Sequence, residues 1–200
     1  MLNELISRYN VLEECREDII KARDAIIKCY ENGGKMLICG NGGSCADSDH
    51  IVGELMKGFL LKREIDDPRL PSHICEKLQA ALPAISLPSQ SAALTAFMND
   101  VDPSLVYAQL LYGYARPNDL FLGLSTSGNS QNVVNAATVA KAVGITTVAM
   151  TGTRESKLSE ISDVTIRVPE CETFKIQELH LPIYHAFCLE VEDAIFGNHK

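Results

Sequence analysis

The sequence contains no apolar run approaching the length of a membrane span, and its start, Met1-Leu2-Asn3-Glu4, has neither the basic segment nor the small-residue cleavage site of a secretory signal. A soluble, cytoplasmic protein with no membrane partner is expected. Positive charge is scarce too: 18 Lys and Arg against 26 Asp and Glu give a net charge of -8. That balance argues against a nucleic-acid partner, which would need a basic field. Any anionic ligand must be held by local geometry. No Cys-x-x-Cys pair occurs among the seven cysteines (Cys15, Cys29, Cys39, Cys45, Cys75, Cys171, Cys188). Their odd number reads as reduced thiols, not a disulfide framework. Also missing are the G-x-G-x-x-G spacing and a Gly-Lys-Ser/Thr ending, so no nucleotide cofactor is expected.

What is present suits one sizeable core and is short for two: 200 residues, 46% hydrophobic and 22% charged. A single domain over 1–200 is expected. Residues 1–32 form an N-terminal helical segment, because Leu5, Ile6, Tyr9, Leu12, Ile19, Ile20, Ala22, Ile26, Ile27 and Tyr30 recur at helical spacing, in two helices or in one interrupted near Val11. Gly33-Gly34 ends it. Five short apolar runs follow, at Lys35 to Cys39, Pro83 to Leu87, Asp119 to Leu124, Ile145 to Met150 and Asp163 to Val168. They alternate with helices expected from about Ser44 to Phe59, Ser91 to Phe97, Ser104 to Tyr114, Asn129 to Val143, over 154–161, and from Phe174 to Phe196. Residues 60–82 lose periodicity and gather charge and proline, an excursion ending in a short helix near Ile74 to Ala81. Strands alternating with helices specify an α/β fold: a five-stranded parallel sheet, doubly wound and flavodoxin-like, with ligand loops at the carboxyl ends of the strands.

Two polar loops lie at that end. Leu124-Ser125-Thr126-Ser127-Gly128-Asn129-Ser130 joins a buried strand to a helix. The helix N-terminus offers unpaired N–H groups and a favourable dipole, and the hydroxyls add donors, so the stretch suits a phosphate. One residue would suffice as an ordinary N-cap, which leaves the rest of the hydroxyl cluster unexplained. The other loop, Gly40-Asn41-Gly42-Gly43-Ser44, reads either as a plain tight turn or as backbone donors against a sugar or phosphate. Behind it, His50 and Glu54 share a helix face: they can bind a metal together, the Glu can act as a base, or they form an exposed i, i+4 pair. In the last helix, Gln177 and His185 lie about 12 Å apart along an ideal axis, so ligating one ion together would require both side chains to reach inward, aided by a bend at Pro182. His180 on that apolar helix reads as a hydrogen-bonded core histidine.

Assembled, these residues resemble the sugar isomerase (SIS) domain family, and within it the bacterial phosphoheptose isomerases, over nearly the whole chain. The carriers are Cys39-Gly40-Asn41-Gly42-Gly43-Ser44 with His50 and Glu54, the pair Asn99-Asp100, the stretch Ser125 to Ser130, and Ile176-Gln177-Glu178-Leu179-His180 followed by His185. The resemblance implies that Ser125, Thr126, Ser127 and Ser130 hold the phosphate. It implies a sugar pocket lined by Asn41, Gly42, Gly43, Ser44, Asn99, Asp100 and Gln177, with Glu54 as general base and His185 as the opposing acid/base. In zinc-containing members the positions matching His50, Glu54, Gln177 and His185 ligate the metal, one ion per subunit. The implied reaction interconverts a ketose and an aldose phosphate through an enediol, nearest to sedoheptulose 7-phosphate and D-glycero-D-manno-heptose 7-phosphate. The implied assembly is a homotetramer with shared active sites.

Some positions depart from the family pattern. Lys57-Gly58-Phe59 stands where heptose isomerases often carry an arginine, and Phe174 stands where an acidic residue is frequent. The excursion is longer than in compact members. The alternative is a non-catalytic SIS protein that binds a sugar phosphate or a protein partner, of the replication-initiator-associating type. The presence of Glu54 and His185 weighs against it.

Overall fold

Alternate residues of a strand point to opposite faces, and the inner strands here are apolar on both. In the computed structural model, which describes residues 1–197, β1 (Met36–Cys39) and β3 (Leu120–Leu124) are buried along their whole length. Met36, Ile38, Leu120, Leu122 and Leu124 enter one apolar cluster, and Leu37, Cys39 and Phe121 enter the other. With β2 (Ala84–Ser86), β4 (Thr146–Thr151) and β5 (Val164–Arg167) they make an all-parallel sheet in the order β2-β1-β3-β4-β5. This is the expected α/β architecture.

Each face is covered by helices. On the first lie α1 (Leu2–Arg8), α2 (Arg16–Glu31), α3 (Gly43–Met56) and α9 (Thr173–Phe196). A 3-10 segment, Asn10–Cys15, makes the interruption near Val11. On the second lie α5 (Ser91–Asp100), α6 (Val106–Tyr114), α7 (Gln131–Ala142) and α8 (Lys157–Ile161). The long α9 buries Ile176, His180, Ile183, Tyr184, Phe187 and Val191, a stripe at helical spacing, and continues through Pro182. Each fully buried aliphatic side chain in such a stripe contributes roughly 1.5–3 kcal/mol. No helix among the described residues is long and apolar enough to cross a membrane.

Two local expectations are corrected. The excursion contains only one turn of helix, α4 (Ser72–Cys75), not a helix over Ile74 to Ala81. Tertiary anchoring orders it instead. The buried Glu192 carboxylate on α9 accepts N–H bonds from Phe59, Leu60 and Leu61 at 2.7–3.0 Å and from Arg63 Nε at 2.8 Å, while Arg63 Nη1 donates to the Leu55 carbonyl. Secondly, α5 runs on through Met98, Asn99 and Asp100, which are therefore helical.

Candidate active site

The strand order sets the position of the site. From β1 the chain moves to β2 on one side and then to β3 on the other, so the connections diverge between β1 and β3, the place where open α/β sheets form a ligand crevice. In the pairing of β1 with β3, Cys39 is level with Gly123, which brings the loops after both strands to one edge. Asn41 and Asn132 link them through paired side-chain amides at 2.9 Å. Tyr107 supports the first loop, its hydroxyl lying 3.0 Å from the Gly40 carbonyl and 3.1 Å from Asn41 Oδ1.

The serine loop is held from behind. Ser125 N donates to the Met150 carbonyl, Gly152 N to the Thr126 carbonyl, and Leu158 N to the Gly128 carbonyl, all within 3.0–3.1 Å. Gly128 has φ +64°, and a Cβ there would lie 2.0 Å from Ser156 Oγ, so the turn requires glycine. Ser130, the residue before α7, makes no side-chain cap bond. Its hydroxyl lies 3.0 Å from that of Ser125. The plain N-cap reading therefore fails at Ser130, and the hydroxyl pair stands beside the N-terminus of α7. A cleft of about 180 Å³ on one side of the loop is lined by Thr126, Ser127, Asn129, Arg154 and Thr173. Arg154, the one cation lining this cleft among the described residues, shares it with Glu155 and Glu170 and was not singled out by sequence spacing.

The second part of the site is the seam where α3 and α9 run side by side. His50 Nε2 lies 3.4 Å from Glu54 Oε1 and 3.4 Å from His185 Nε2. Glu54 Oε2 is bonded at 2.8 Å to Lys57. That bond, helped by the Lys57 charge and the two imidazoles, outweighs partial burial and holds the Glu54 carboxyl below its ordinary pKa. Burial, with the neighbouring His50, pushes the His185 imidazole below its ordinary value, so it favours the neutral form. The Phe59 ring packs 5.8 Å from that of His185. Tyr184 and Asp47 complete the seam, with the Tyr184 hydroxyl 3.1 Å from Asp47 Oδ1 and 3.0 Å from His50 Nδ1. The i, i+3 spacing of Asp47 and His50 was the available sequence signal for this contact.

Not every candidate joins these groups. Gln177 packs its amide on Gly43, where a Cβ would lie 2.7 Å from Nε2. It therefore sits at the start of α3, while His185 meets His50 about 10 Å further along that helix. Among the described residues, no three or more His, Cys, Asp or Glu side chains form a group arranged to hold a metal ion. Gly42, with φ +56°, makes the turn into α3, and Ser44 is buried in the first turn. Asn99 and Asp100 are exposed at the end of α5, bonded to each other at 2.8 Å, with no hydrogen bond to either loop. His180 is fully buried, its Nε2 3.3 Å from the Thr151 carbonyl, as a core histidine should be.

Comparison with known proteins places the fold in a family. The sequence profile of the SIS domain matches residues 2–152. Phosphoheptose isomerase from Aneurinibacillus thermoaerophilus is 37% identical over 186 residues, 93% of this chain and 86% of the relative. The enzyme of that name from Mycobacterium tuberculosis is 39% identical over 174 residues, covering 87% and 81%. The solved structure of phosphoheptose isomerase from Neisseria gonorrhoeae superposes with a TM-score of 0.76 at 29% identity, covering 96% of this chain and 100% of that one.

Proposed function

The chain belongs to the SIS domain family, and from that premise we propose that it is an isomerase converting sedoheptulose 7-phosphate to D-glycero-D-manno-heptose 7-phosphate. The observation that carries the reading is the convergence of Glu54, His50 and His185 in a chain that also carries a hydroxyl-rich loop at a helix N-terminus. Placing an anion site at one end and proton-transfer groups at the other suits a sugar with its phosphate remote from its carbonyl.

Ser125, Thr126, Ser127 and Ser130 bind the phosphate with the first N–H groups of α7. Asn41, Gly42, Gly43, Ser44 and Gln177 line the sugar's path; Asn99 and Asp100, exposed at the end of α5, would reach it only from the outside. Holding the phosphate fixes the sugar so that one C–H faces the base. Glu54, ionised beside Lys57, takes the proton from the carbon next to the carbonyl. His185, favoured neutral by burial, moves a proton between the two oxygens, and the enediol collapses to the aldose.

The donor types suit zinc: imidazole and carboxylate are ligands zinc takes, and His50 lies 3.4 Å from both Glu54 and His185. The three do not stand as a closed ligand group, and Glu54 and His185 would have to draw together around the ion. His50, Glu54 and His185 would hold it; the position of Gln177 favours the sugar pocket. A bound zinc would polarise a substrate oxygen. The cytoplasm is the compartment that suits seven cysteines without a disulfide, and a homotetramer is the assembly.

The test is an isomerisation assay with sedoheptulose 7-phosphate on chelator-stripped and zinc-restored protein. Formation of the aldoheptose phosphate, lost on stripping and regained with zinc, supports both reaction and metal. Turnover indifferent to zinc leaves Glu54 and His185 as an unaided pair. Binding without turnover in either state overturns the enzymatic reading.

A further inference from the structure

The seam holds a hydroxyl that the acid/base chemistry does not use. Tyr184 is 1% exposed, and its oxygen touches two groups of α3 at once, Asp47 Oδ1 at 3.1 Å and His50 Nδ1 at 3.0 Å. The His50 ring is wedged between Tyr184 and His185, with edge-on contacts at centroid distances of 5.5 and 5.0 Å.

Proton counting gives this contact a direction. A phenol has one proton to donate, and an ionised carboxylate only accepts. The Tyr184 proton therefore goes to Asp47, and the phenol oxygen is left to accept. The group opposite it, His50 Nδ1, must then be the donor. In a neutral imidazole the other nitrogen carries no proton, and that nitrogen, Nε2, faces Glu54 Oε1 and His185 Nε2 at 3.4 Å, so the closer Tyr184 oxygen, at 3.0 Å, has to hold the ring proton against the Glu54 carboxylate. We propose that Tyr184 and Asp47 are positioning residues that fix His50 as its Nδ1–H tautomer, so that the Nε2 lone pair is presented to the catalytic cluster. This rests on the isomerase reading for its purpose, though not for its geometry. Partners on the far nitrogen fix a histidine's tautomer and orientation, and losing them typically weakens activity or metal affinity 10–100-fold.

The decisive measurement is the tautomer itself, read from long-range proton–nitrogen correlations of the ¹⁵N-labelled, metal-free full-length protein at alkaline pH. His50→Gln assigns the signals. His50 of the unaltered protein is expected as Nδ1–H. Tyr184→Phe removes the acceptor and should shift His50 towards Nε2–H. Asp47→Ala should do so more completely, because the freed Tyr184 proton can turn onto Nδ1. Asp47→Asn keeps an oxygen acceptor and should keep Nδ1–H. Turnover should follow the same order: kcat falls about 10–100-fold for Tyr184→Phe and Asp47→Ala with KM steady, and most of it is retained by Asp47→Asn. An Nδ1–H tautomer that survives Tyr184→Phe overturns the proposal, as do equal losses in all three variants. If the unaltered protein has no isomerase activity, the functional reading fails alone and the tautomer series still decides this one.

Discussion

The serine loop and the α3–α9 seam are built in opposite ways. The loop's groups come from one contiguous stretch, Ser125 to Ser130, and its shape is set by backbone bonds to β4 and α8 and by one left-handed glycine. The seam joins residues about 135 positions apart, and its geometry depends on side chains: Tyr184 on His50 and Asp47, and His185 on His50. A backbone-built site binds, since its donors do not change protonation state. A side-chain-built site can move protons. Substitutions in the loop should therefore appear in KM and those in the seam in kcat.

Glu54→Gln gives the largest effect. It keeps the shape of the side chain but removes the proton acceptor, so kcat should fall about 10³-fold, near 4 kcal/mol of barrier. Steady-state kinetics check this, with KM expected to change by no more than a few-fold. A loss concentrated in KM would break the division between seam and loop.

His180 sharpens the contrast, because it lies on the same helix as His185 and yet faces β4. Burial pushes its pKa down to about 4, with the bond to Thr151 opposing only in part. Its unfolded value is near 6.5. Between those values the unfolded chain binds a proton that the folded chain does not, so stability rises with pH there. The contribution is complete above about pH 6.5 and is lost as pH falls towards 4, on the order of 3 kcal/mol in all. Urea unfolding at pH 7 and pH 4.5 should show this slope beyond the carboxylate background, and His180→Gln should remove it. An unchanged slope in the variant would show that His180 does not remain neutral in the fold.

The same contrast governs how much was legible in the sequence. The five strands, their order of alternation with helices and the serine loop could be read because each signal is local: a buried run, a turn glycine, a cluster of hydroxyls before a helix. The pairing of His50 with His185 could not be read from spacing, since helical spacing gives a residue's face and not the element that will cover it; only the family resemblance put the two together. Tyr184 was hidden for the same reason, as an aromatic in an apolar stripe. Asn99 and Asp100 read as a break between helices, but α5 simply continues, the two polar side chains bonding to each other on its exposed end. In the excursion, proline and charge hid the controlling feature, the buried contact of Arg63 and the Phe59–Leu61 backbone with Glu192, supplied from more than 125 residues away.

Ser130→Ala is the smallest effect and the most specific to the loop. The hydroxyl is paired with that of Ser125, and the helix does not need it as a cap, so its removal should leave the fold intact. A hydrogen bond to a charged group contributes about 1.5–3 kcal/mol, and the remaining hydroxyls and N–H groups compensate in part. KM should rise about 10-fold, near 1.4 kcal/mol, with kcat steady. Inhibition by inorganic phosphate should weaken to the same degree, because the lost bond is to the phosphate and not to the sugar. A heptulose without its phosphate should turn over poorly but equally well with both proteins. If the variant instead lost kcat with phosphate inhibition unchanged, the loop would be acting on the reacting carbons, and the separation of anion binding from proton transfer would fail.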